Sequence, residues 1–156
     1  MSDRLWRLLG AERDAFWIVD PMVSETAGSG LLTTLRDMAR VGQMLLQKGI
    51  YNGEKIVSSA AIAEIEKGGD QEAFARGSAA SPLNRHYSYH NQWWVTHNEH
   101  RAYLGLGYGG QILYIDPVAQ MVVAKFSSYP TPTAAGNEFY SAFAAFPALA
   151  GFLEHQ

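Results

Sequence analysis

The sequence predicts an α+β domain: an antiparallel sheet with flanking helices. Three observations carry this reading. Apolar residues recur at helical spacing from Thr34 to Lys48, the period changes to two from His86, and an apolar helical stretch returns at 137–153. At 156 residues and 47% apolar content the chain is long enough to bury one core. It reads as a single domain, 1–156, mainly helical over 1–85. From 86 to 156 it reads as a three-stranded antiparallel sheet plus a C-terminal helix.

The elements follow in chain order. Leu5, Trp6, Leu8 and Leu9 suggest a short helix ended by Gly10, and Ala15–Asp20 an extended piece before a flexible turn at Ala27–Gly30. Thr34 is placed to cap the first long helix, with Asp37 three residues on at its positive end. Leu35, Met38, Ala39, Leu45 and Leu46 would form its buried side, and Gly49 its stop. Asn52-Gly53 is a tight-turn signal. Ser58 or Ser59 would cap a second helix that ends at Gly68-Gly69, and 68–85 reads as a polar, mobile loop.

From His86 to Thr96 the alternation puts Tyr87, Tyr89, Asn91, Trp93 and Val95 on one side of a strand, with Trp94 on the other. A polar turn over His97–Arg101 leads into Ala102–Tyr108, then Gly110–Asp116 and Met121–Ser128, paired in meander order. Asp116-Pro117 is a turn former. The final helix would bury Phe139, Phe143, Phe146 and Leu149, with Pro147 kinking or interrupting it.

Bulk properties exclude several classes. A net charge of −3 with singly scattered Lys and Arg gives no nucleic-acid signal. The absence of cysteine removes thiol chemistry and disulfides. No stretch approaches the roughly 18 apolar residues of a membrane span, so no membrane partner is expected and a cytoplasmic location is the default. His97-Asn-Glu-His100 lacks the helical spacing that brings two imidazoles to one face, so no metal or other cofactor is expected.

The most informative stretch is 103–128. Two β-prone runs flank Asp116-Pro117, and Gly105, Gly107, Gly109 and Gly110 cluster where the first run ends. Glycine lets another molecule approach the backbone closely. This segment resembles the last catalytic strand and its partner in the serine β-lactamase, penicillin-binding protein and esterase superfamily. It looks most like the 6-aminohexanoate-dimer hydrolase and carboxylesterase branch. The Leu5-Trp-Arg-Leu-Leu-Gly10 segment, the Gly30–Leu46 stretch with its Leu-Arg-Asp-Met-Ala-Arg, and Asn52–Ser58 are similar to that branch in the same order.

The resemblance implies a partial β-lactamase/transpeptidase-like fold and a definite chemistry. Such enzymes need a Ser-x-x-Lys nucleophile, a Tyr-x-Asn or Ser-x-Asn proton carrier and a Lys-Thr-Gly-type triplet on a strand. Tyr108-Gly109-Gly110 stands where the triplet would be and would line the substrate pocket. Gln111 would donate its backbone N–H to the oxyanion. With Tyr108 in place of a lysine, an amide- or ester-cleaving hydrolase is implied rather than a β-lactamase. No serine here has a lysine three residues on. Tyr89-His90-Asn91 lies in the strand before the triplet, where the family's motif does not sit.

The expectation is therefore a C-terminal portion of a serine hydrolase, inactive alone, whose small amide or ester substrate binds in the complete enzyme. Self-association, or association with the missing N-terminal part, would follow from the surface left uncovered. The alternative is a non-catalytic binding or structural module that keeps the fold.

Overall fold

The computed structural model describes residues 2–26, 28–130 and 137–154. A wide helical turn over Ser2–Trp6 opens the chain, and Trp6 and Leu9 reach the core. β1 (Phe16–Trp17) pairs antiparallel with β2 (Leu31–Leu32) at the base of an arm. α1 (Leu35–Leu46) follows, then the short hairpin β3 (Ile50–Tyr51) and β4 (Glu54–Lys55). Asn52 and Gly53 connect those strands with φ of 50° and 81°, as the Asn-Gly pair predicts. α2 (Ser59–Lys67) is capped by Ser58, whose hydroxyl accepts the N–H of Ala61.

The stretch 68–85, expected as loop, holds a further helix, α3 (Gln71–Arg76). Asp70 caps it by accepting the N–H of Ala73 at 2.9 Å. Six residues leave too little periodicity to read, so the cap was the legible signal.

One five-stranded antiparallel sheet organises the rest, in the order β5 (Ser88–His90), β6 (Trp93–Val95), β7 (Tyr103–Gly107), β8 (Gln111–Asp116), β9 (Met121–Lys125). The three strands expected over 102–128 become five because 86–96 joins the same sheet, and as a hairpin of two strands rather than as one strand. Asn91 and Gln92 adopt φ of 48° and 67°, a two-residue left-handed turn that folds β5 onto β6. The turn changes the facing of the side chains. Tyr89 is opposite Trp94, not on the side of Trp93 and Val95. Trp93 and Trp94 do take opposite faces: Trp93 packs edge-on to Tyr103 at 5.4 Å, and Trp94 to Phe74 at 5.3 Å.

Each sheet face carries its own core. Val95, Tyr103, Leu113 and Ile115 pack with Met44, Leu45 and Leu46 of α1 and with Trp6, Leu9 and Ile62. Leu104, Ile112 and Tyr114 pack with Phe146 and Ala150 of α4 (Asn137–Glu154). The result is a helix–sheet–helix sandwich with β8 buried on both sides. Gly42 permits the close approach of α1, since a Cβ there would collide with Val122 and Leu113.

Expectations for both long helices need correction. Leu35 is 46% exposed, and the buried face of α1 is centred instead on Met44, Leu45 and Leu46 together with Gly42. Asp37 is buried and draws the N–H groups of Glu12 (2.8 Å) and Arg13 (3.3 Å), the Thr34 hydroxyl (2.7 Å) and Arg40 (2.9 Å) onto one carboxylate. It clasps the N-terminal segment to α1 rather than merely complementing the helix end. In α4, Phe146 is buried as expected but Leu149 faces solvent, and the helix continues through Pro147. The expectations for Phe139 and Phe143 lie outside the described side chains, and Ala27 outside the described residues.

Candidate functional site

β7 and β8 pair from Tyr103–Ile115 to Gly107–Gln111, and Tyr108–Gly110 join them in one tight turn. Tyr108, Gly109 and Gly110 are therefore a connection, not strand residues as the alternation suggested. The reason is conformational. Gly109 and Gly110 have φ of 70° and 89°, which side-chain-bearing residues rarely adopt and which turns the chain within three residues. Both glycines are buried, while Tyr108 projects with 76% of its surface exposed. The three candidate binding residues are thus brought together at one tip, with Gln111 at its foot.

A second segment straps this tip. Leaving β9, residues 125–129 run over the turn. The Gln111 side-chain amide donates to the Ser127 carbonyl at 2.6 Å and accepts the Ser127 N–H at 3.0 Å, like one more rung of ladder. The Tyr129 N–H donates to the Gly109 carbonyl at 3.0 Å. Tyr129's ring occupies the space where a Gly110 side chain would stand. Lys125, whose alternation with apolar neighbours marks a solvated or edge-strand lysine, ends the edge strand β9 and is half-buried. Its ammonium donates to the Gly110 carbonyl at 3.3 Å, to the Tyr129 hydroxyl at 3.0 Å and to the Ser127 hydroxyl. It also lies 4.6 Å from the centre of the Tyr129 ring. Alternation placed Lys125 on a face but could not show that the chain beyond it folds back.

Other polar groups sort differently. Ser88 accepts the Gly69 N–H at 2.8 Å and lies 2.7 Å from His97 Nε2. Burial, helped by nearby His86, lowers the His97 pKa and favours its neutral ring, whose tautomer sets which of the two groups donates. This pairing has the composition of a nucleophile and base, but Ser88 is fully buried and substrate cannot reach it. His100 Nδ1 is 2.9 Å from Asp116, and its Nε2 is 3.5 Å from Glu154 of α4. Asp116 also accepts the N–H groups of Val118 (3.1 Å) and Ala119 (2.9 Å), so it is the turn former expected. Among the described residues no three His, Asp or Glu side chains are grouped to hold a metal ion. None of their helices is long and apolar enough to cross a membrane. A hollow of about 470 Å³ beside Trp6, Glu12 and Asp14 includes none of the tip or strap residues.

The tip is a strapped, glycine-built turn that presents one aromatic ring and a backbone edge. Such a surface can bind an extended amide or ester and offer N–H donors to developing negative charge. No model of a protein family matches the chain. It is 39% identical over 132 residues to the 6-aminohexanoate-dimer hydrolase of Paenarthrobacter ureafaciens, a match that takes in 85% of this chain and 33% of that protein. A solved structure from Bacillus anthracis that carries the same name superposes with a TM-score of 0.80 at 42% identity. That superposition covers 99% of this chain and 38% of the other. The chain thus spans about a third of the length of the relatives it matches. In sequence and in fold the chain is similar to about a third of each of these 6-aminohexanoate-dimer hydrolases.

Proposed function

We propose that this chain supplies the substrate wall and an oxyanion donor of a hydrolase acting on amide or ester bonds, in the manner of the 6-aminohexanoate-dimer hydrolases. The observation that carries the reading is the strapped Tyr108-Gly109-Gly110 turn, at the position where the resemblance puts the third catalytic motif. Tyr108 would line the pocket, the glycines would set the tight turn, and Gln111 would offer its N–H to the oxyanion. One such donor lowers a barrier by about 3–4 kcal/mol. The nucleophile and its lysine would come from outside this sequence, in which no serine has a lysine three positions on. A cytoplasmic setting belongs to the same proposal.

The chain alone should therefore neither turn over p-nitrophenyl esters above background nor be acylated by a serine-directed fluorophosphonate. Intact-mass analysis after an hour with the probe tests this. Stoichiometric labelling of any serine would overturn it.

The second reading, a non-catalytic module that keeps the fold, is favoured by the burial of Ser88, the serine paired with a histidine. Addition of the N-terminal portion of a related hydrolase separates the two readings, since a non-catalytic module gains no activity from it.

A further inference from the structure

The strap over the glycine turn gives a role to two residues that the resemblance leaves unassigned. Its bonds run to carbonyls: Tyr129 N–H to Gly109, and the Lys125 ammonium to Gly110. The described peptide bonds are trans. In a trans peptide the N–H lies on the edge opposite the carbonyl. The strap thus grips two consecutive peptide planes by their carbonyl edges, and the opposite edges carry the N–H groups of Gly110 and Gln111.

The electrostatics of Lys125 point the same way. The ammonium is half-buried, its recorded acceptors are neutral oxygens, and among the described residues it forms no ion pair. As a stabilising device this is poor, because a partly desolvated charge without a counter-ion gains little over an apolar side chain of similar length. As an electrostatic device it is effective. A cation bonded to a carbonyl draws charge across the peptide and makes the N–H on its far edge a stronger donor. The far edge of the Gly110 carbonyl is the Gln111 N–H.

Tyr129 adds the steric half. Its ring fills the space over Gly110, its backbone holds Gly109, and its hydroxyl accepts from Lys125. We infer that Lys125 and Tyr129 are positioning residues that set and polarise the Gly109–Gln111 turn before substrate arrives. The inference rests on the reading of that turn as substrate-facing.

Nuclear magnetic resonance of the isotope-labelled 156-residue chain tests it, with K125M, K125R and Y129F. In K125M the Gln111 amide proton is expected to move upfield and the order parameters of residues 109–111 to fall, with the amides of α1 unmoved. K125R keeps a cation and should restore most of the Gln111 shift, which a purely packing role would not do. Should K125M fail to fold, Y129F carries the same test, because it removes one acceptor from the ammonium and should shift the same amide by less. An unmoved Gln111 amide in K125M, or in Y129F where that variant carries the test, overturns the inference, as does a shift that K125R leaves unrestored. No substrate enters the measurement, so its failure would leave the hydrolase reading standing. Loss of the hydrolase reading in an activity assay would in turn leave the amide result intact.

Discussion

A methyl group on Gly110 should cost far more than one on Gly53, although both glycines lie in left-handed turns. Gly110 has φ of 89° and Gly53 has 81°, so each Gly→Ala change carries a backbone cost of roughly 1–2 kcal/mol. At Gly53 nothing lies within 4 Å of the added Cβ. At Gly110 the methyl would overlap the Tyr129 ring. The ring must then leave, along with its contact to the Lys125 ammonium, about 0.5–1 kcal/mol. The Tyr129 N–H bond to Gly109 is strained or lost at the same time, another 0.5–1.5 kcal/mol or so. Summed, G110A should destabilise by about 2–4.5 kcal/mol and G53A by about 1–2 kcal/mol. Urea denaturation of both variants beside the parent measures the difference. The slope m should stay constant, because neither change alters the surface exposed on unfolding by much. If G110A lies within 0.5 kcal/mol of G53A, the strap does not hold the turn and the account of the site fails.

Further outcomes follow from other parts of the structure. D37A should destabilise by about 3–5 kcal/mol in thermal melts, because it leaves Arg40 and two backbone N–H groups without their buried acceptor; a loss below 1 kcal/mol would show that the N-terminal segment does not depend on this clasp. Burial pushes the Asp37 carboxyl up, but the bonds from Glu12, Thr34 and Arg13 and the Arg40 charge outweigh it, so its pKa lies below the ordinary aspartate value. The stability it contributes is complete above that ordinary value, about 3.9, and is lost as pH falls through the lower folded-state value. The D37A penalty should therefore shrink in strongly acidic buffer, and a constant penalty from pH 7 to pH 2 would contradict this. The arm residues Phe16, Ile18, Met22, Val23 and Leu32, together with Tyr108 and with Leu149, Phe152 and Leu153 of α4, leave large apolar groups in solvent. Sedimentation equilibrium at micromolar concentration should show self-association, and a clean 17.2 kDa monomer that binds no hydrophobic dye would refute it.

Those readings also show what the sequence made legible. Local chemistry with a short-range cause was readable. Thr34 and Ser58 cap the helices they precede, Asn52-Gly53 turns, and Asp116 folds its side chain onto the next two N–H groups. The 86–96 hairpin was not readable, because Asn-Gln does not announce a left-handed turn as Asn-Gly does and the alternation across it looked continuous. The environments of Asp37 and Lys125 were hidden for another reason. Each depends on chain that returns from elsewhere, the 12–13 segment for Asp37 and the Tyr129 strap for Lys125. In the site the order Tyr-Gly-Gly-Gln offered four candidate residues, and their place at a hairpin tip rather than along a strand follows from φ angles that no alternation pattern carries.

The central claim is that this chain provides a substrate wall and an oxyanion donor but not the nucleophile. Hydrolysis of 6-aminohexanoate dimer, followed by release of free amine, tests it most directly when the 156-residue chain is refolded with the N-terminal portion of the related Bacillus protein. Turnover should emerge from the mixture, be absent from either part alone, and fall with G110A in the chain. Turnover by the chain alone, or a correctly assembled complex as silent as its separate parts, would contradict the account.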